Sequence, residues 1–109
     1  MDLKIYDVVL ELVRLVAPLV VVLRAHSAEL GDQCERALIS IPLNTAEGSY
    51  SRGRNKCARY HNALGSAREV LACLETAQAF GWLGPLEVHM SELFRRVIGT
   101  LVRLANPKR

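Results

Sequence analysis

Aromatic side chains are scarce. Phe, Trp and Tyr make up only 6% of the 109 residues, too few for the aromatic and β-branched strands of a β-sandwich. Seven glycines and four prolines likewise speak against a disordered chain. Half of the residues are apolar and 23% are charged, which excludes a disordered chain and provides for one soluble domain with a real core. Three cysteines cannot all pair with one another, and their spacing indicates no disulfide framework. No apolar run approaches the ~20 residues that cross a bilayer; the longest near the start covers residues 15–23. Asp2, Asp7 and Glu11 oppose the positive start of a signal peptide. With Cys34, Cys57 and Cys73 read as free thiols, the expected compartment is the reducing cytoplasm.

Positive charge is concentrated in one half of the chain. Residues 1–50 hold seven acidic and four basic side chains, a net of −3, and residues 51–109 hold four acidic and ten basic ones, a net of +6. Such asymmetry marks a surface for an anionic partner, or is matched within the chain or between subunits.

The apolar spacing predicts an all-α domain over residues 1–109, an antiparallel up-down-up-down four-helix bundle with helices at about 3–24, 27–48, 55–80 and 85–105. Ser27 is an N-cap residue type for the second helix. Pro42 falls inside that helix, and a kink or break is expected there. Gly81 is placed to end the third helix, and Pro85 to open the fourth. The first helix has a polar stripe at Asp7, Glu11 and Arg14, which then vanishes. From residue 15 to 23 it is apolar on every side, although a surface helix keeps a polar face. This stretch is expected to be covered by another subunit, so the chain is read as a homo-oligomer.

Several segments carry a resemblance. These are Ser40-Ile41-Pro42-Leu43-Asn44-Thr45-Ala46-Glu47-Gly48, then Ser51-Arg52-Gly53-Arg54-Asn55, then Ala63-Leu64-Gly65-Ser66-Ala67-Arg68-Glu69, then Leu74-Glu75 and Phe80-Gly81-Trp82-Leu83. Their order and spacing resemble the bacterial four-helix-bundle family named for proteins encoded in intervening sequences of 23S rRNA genes. The resemblance covers essentially the whole chain and implies a ring-like homopentamer. The family is similar in fold to the accessory protein of diversity-generating retroelements, which binds a reverse transcriptase and nucleic acid through a basic barrel. Most members have no established activity.

The polar signature residues Ser40, Asn44, Glu47, Ser66 and Glu69 read first as structural. Ser40, Gly65 and Ser66 let backbones approach, Asn44 satisfies carbonyls freed by Pro42, and Glu47 and Glu69 pair with Arg36 or Arg68. The competing reading makes the two glutamates an acid/base pair, but no nucleophile or oxyanion-donor motif accompanies them. The second candidate is a basic turn of Arg52, Arg54, Lys56 and Arg59 at the start of the third helix, with Tyr50 placed to stack a base. Cations oppose the positive end of a helix, and a bound phosphate relieves them. A further cluster of Arg95, Arg96, Arg103, Lys108 and Arg109 suits the negative end of the last helix without any partner. Cys57 and His61 stand one turn apart, but two ligands from one helix do not make a metal site. No catalytic, cofactor or metal residues are expected, nor a membrane or small-molecule partner. The sequence therefore suggests a non-enzymatic oligomeric binding or scaffold protein. The alternative is a nucleic-acid-binding accessory protein using the basic turn.

Overall fold

The computed structural model describes residues 3–107. Those residues form four helices and no strand: α1 (Leu3–His26), α2 (Ala28–Tyr50), α3 (Gly53–Ala79) and α4 (Val88–Ala105). Each helix packs on its neighbours in sequence, and α1 closes on α4. The largest fully buried side chains are Leu12 and Leu23 of α1, Ile41 of α2, Leu74 of α3 and Leu101 of α4, so every helix feeds one shared core.

The expected elements are all present, but several boundaries move. Ser27 alone separates α1 from α2, and its hydroxyl accepts the Leu30 N–H at 3.1 Å, the expected N-cap bond. The second helix runs beyond Gly48 to Tyr50, where the Ser51 hydroxyl donates to the Glu47 carbonyl at 2.8 Å. The third begins at Gly53 rather than residue 55. Gly53 adopts φ +59°, which lets the chain turn into α3 after only Ser51 and Arg52. Gly81 ends α3 as expected: at φ +77° its N–H reaches the Gln78 carbonyl, and the Trp82 N–H reaches that of Ala77. Pro85 does not open α4. The Gln78 side-chain amide donates to the Gly84 carbonyl at 3.0 Å, and α4 starts only at Val88, with Glu87 in the N-cap position but making no side-chain capping bond.

Pro42 neither breaks α2 nor ends it. Two side chains bond carbonyls beside it, Asn44 to that of Ser40 at 3.1 Å and Thr45 to that of Ile41 at 2.7 Å. Asn44 therefore serves Ser40, not Leu38, whose usual i+4 donor Pro42 lacks. Pro18 likewise lies inside a continuous α1.

Helices α2 and α3 share a close seam. A Cβ on Gly48 would stand 2.7 Å from the buried Tyr60 ring, so the two helices meet there at glycine distance. Farther along the seam Cys34 and Cys73 are buried against each other. Burial pushes the Cys34 thiol up to about 12, and its neighbour Cys73 adds to the effect. Burial also raises Cys73, with the charge of Glu69 contributing.

Gly48→Ala should lower stability by about 1–3 kcal/mol in urea unfolding, because the fixed Tyr60 ring cannot yield. Gly65→Ala should instead raise it by up to ~1 kcal/mol, since nothing lies within 4 Å of its Cβ position. The two buried thiols should stay silent to a thiol reagent at about pH 8, where half-buried Cys57 reacts first, and should appear on unfolding. Both thiols ionise more readily in the unfolded chain. Their contribution is complete below the ordinary thiol value of 9.0 and falls as pH rises towards about 12. The urea midpoint should therefore drop on going from about pH 8 to about pH 10.5. Three equally reactive thiols in the folded protein would contradict this account.

Candidate functional site

The polar signature divides into two groups. Ser40, Asn44 and Ser66 come together across the α2–α3 seam: the Ser66 hydroxyl donates to Ser40 Oγ at 2.7 Å, and Asn44 Nδ2 donates to the same oxygen at 2.9 Å. This is a small, satisfied hydrogen-bond node that fixes the register of two helices. Glu47 and Glu69 are not part of it. Both are exposed, and neither forms an ion pair with Arg36, Arg68 or any other cation among the described residues. The expectation that these carboxylates need buried partners fails because they stay on the solvent side of their helices. Gly65 does not mark a close approach either, as its outer side is open. That role belongs to Gly48.

The ion pairs lie elsewhere. Arg24, near the end of α1, bridges Asp32 at 3.2 Å and Glu35 at 3.1 Å, clasping the one-residue turn into α2. A Cβ on buried Gly31 would sit 2.6 Å from Arg24 Cβ, so this clasp also depends on a close helix approach. His89 of α4 meets Glu11 of α1 at 2.7 Å.

Of the basic candidates, Arg52 precedes α3, and Arg54, Lys56 and Arg59 lie on its first two turns. Arg52 is the N-cap residue of α3, with extended backbone and no side-chain capping bond, and no acidic residue occupies the first turn. Arg52 and Arg54 are exposed, while Lys56 and Arg59 are half-buried. None of the four has an ion pair among the described residues. Tyr50 ends α2 beside this turn with 75% of its surface exposed. In the second basic cluster, Arg95, Arg96 and Arg103 are exposed on α4, and Lys108 and Arg109 lie outside the described residues.

The apolar stretch at residues 15–23 is split by the fold. Val16, Val20 and Leu23 enter the core, while Ala17, Pro18, Val21 and Val22 face outward, Val21 at 66%. An apolar line on α2 lies beside them and is not evident from the dominant sequence periodicity. Ile39 and Leu43 are 53% and 62% exposed, and Ala46 and Tyr50 continue the line. Its 4-3-4 spacing is present in the sequence, overshadowed by the stronger Cys34, Ala37 and Ile41 periodicity of the buried side. A small groove of about 200 Å³ joins Ala17 and Val21 of α1 to Leu38 and Ile39 of α2. Between α3 and α4 runs a larger open groove of about 620 Å³, with Leu71, Phe94 and Ile98 as apolar lining and Glu75 and Arg95 among its polar residues.

Among the described residues, no cluster of three or more His, Cys, Asp or Glu side chains is placed to hold a metal. Within the same residues no helix is long and apolar enough to cross a membrane. No curated protein and no solved structure gives a significant match to the chain. The sequence model of the family described as "23S rRNA-intervening sequence protein" matches residues 1–99. That span contains the Ser40–Asn44–Ser66 node, the basic turn and most of α4, and the chain therefore belongs to the 23S rRNA-intervening sequence protein family.

Proposed function

We propose that this chain is a non-catalytic, self-assembling helical-bundle module of the cytoplasm, which binds or scaffolds other macromolecules as a ring. A single observation carries this reading. Val21, Ile39, Leu43 and Tyr50 are large, apolar or aromatic, and more than half exposed, and they share the outer side of α1 and α2. Isolated soluble domains rarely leave so much contiguous apolar surface uncovered. The number of copies, five, comes from the family resemblance.

Within each copy the reading is an up-down-up-down antiparallel bundle. Connections of one and two residues after α1 and α2 leave the chain no length to return to the far end. The α2–α3 contacts agree: Gly48 meets Tyr60, Ser40 meets Ser66 and Cys34 meets Cys73, so one number falls as the other rises. The non-catalytic part of the proposal is supported by Glu47 and Glu69, which are exposed on different helices and form no ion pair among the described residues. In size-exclusion chromatography with light scattering, the expected mass is about five times the 12.1 kDa of one chain. A single 12.1 kDa species at every concentration would remove the reading.

A second reading has its own support. Arg52, Arg54, Lys56 and Arg59 crowd an uncapped helix N-terminus with no anionic partner among the described residues, and Tyr50 stands open beside them. This combination suits the phosphates and a stacked base of single-stranded RNA or DNA. Replacing Arg52, Arg54 and Lys56 with serine should weaken RNA binding. It should also reduce the slope of log affinity against log salt by roughly 0.7 for each phosphate no longer neutralised. An unchanged affinity and slope would eliminate the site.

A further inference from the structure

We infer that the apolar stripe of α2 in one copy seats in the α3–α4 groove of the next, so that the chain assembles head to tail through opposite faces. The inference rests on the self-assembly reading and adds which surfaces meet.

Placement comes first. The helices touch in the cyclic order α1, α2, α3, α4 and back to α1. The α1–α2 face and the α3–α4 groove therefore lie on opposite sides of the bundle. A contact between the same face of two copies closes at once into a dimer and leaves the groove unused. A contact between opposite faces repeats from copy to copy, and closes into a ring when the rotation divides the circle.

Shape points to the second arrangement. Ile39 and Leu43 stand out from α2 as a ridge, 53% and 62% exposed. The depression beside them is small, about 200 Å³. The α3–α4 groove, at about 620 Å³, is the larger concavity and has an apolar lining of Leu71, Phe94 and Ile98. Gly99 lines the same groove, and a Cβ there would touch only an Arg103 guanidinium nitrogen at 3.8 Å. The chain's own packing does not require a glycine at this mid-helix position, where glycine is disfavoured relative to alanine. A helix arriving from a neighbouring copy would make use of the space it leaves.

The charge balance of the two halves favours the head-to-tail arrangement. The half of the chain that forms α1 and α2 has a net charge of −3, and the half that forms α3 and α4 has +6. Same-face contacts set like charges against each other, whereas head-to-tail contacts set unlike ones. At the contact itself the signs are mixed on both surfaces, with exposed Glu47 and Arg36 bordering the stripe and Arg95 and Glu75 bordering the groove. Both signs therefore have an opposite available across the contact.

The test uses Leu43→Glu to spoil the stripe and Gly99→Glu to fill the groove with a bulky charged side chain. Neither change removes a core side chain, and circular dichroism should report wild-type helix content for both. Arg95→Glu serves as a second groove variant on an exposed position. By light scattering, each single variant should be a 12.1 kDa monomer. An equal mixture of Leu43→Glu with either groove variant should give a species of twice that mass and nothing larger, because one intact stripe and one intact groove remain. If a well-folded Gly99→Glu or Leu43→Glu protein keeps the wild-type mass, the face-to-groove contact is wrong. Two monomeric variants that stay monomeric on mixing overturn it as well. A wild-type chain that is itself monomeric sinks the self-assembly reading, a different failure from a multimer that survives these substitutions.

Discussion

The seating of the Tyr60 ring where a Gly48 side chain would be fixes how α2 and α3 lie together, and the rest of the bundle follows from it. A large flat ring against bare backbone allows little sliding. The Ser40–Ser66 hydrogen bond sits farther along the same line and penalises a shift in register, because either hydroxyl would lose its partner. Cys34 and Cys73 meet beyond that, small enough for both helices to stay close. With this seam held, α1 and α4 have two defined edges to pack against, and their apolar stripes meet over the core.

Much of this is written plainly in the amino acids. The buried stripes of α3 and α4, the Ser27 cap and the Gly81 stop depend on local chemistry, and local chemistry can be read one residue at a time. The start of α4 cannot be read this way. Proline suits a first helical turn, yet the Gly84 carbonyl is taken by the Gln78 side chain six residues away and the helix starts only at Val88. The persistence of α2 through Pro42 is hidden for a similar reason. Asn44 is expected to reach a carbonyl freed by Pro42, yet it and Thr45 return to the Ser40 and Ile41 carbonyls one turn back, a choice only the packed helix reveals.

The candidate surfaces are legible in uneven measure. A run of Arg52, Arg54, Lys56 and Arg59 announces itself in the sequence, and it falls at the start of α3. The signature glutamates are harder. Their spacing fits one helical face, but whether that face looks inward depends on the rotation of each helix, which packing settles. Glu47 and Glu69 lie outside, leaving Ser40, Asn44 and Ser66 as the part of the motif that joins the helices. The exposed α2 line is the least visible, since α2 is apolar on two sides and a single sequence does not say which side is covered.

The connection between α3 and α4 has a consequence of its own. Phe80 and Trp82 stack at 4.4 Å between ring centroids, and Trp82 also lies flat on His26 at 5.2 Å, so this loop folds over the end of α1. The protein has a single tryptophan. Its indole emission is therefore an intrinsic optical reporter for one corner of the molecule, sensitive to the loop lifting away and blind to events at the distant Arg-rich turn.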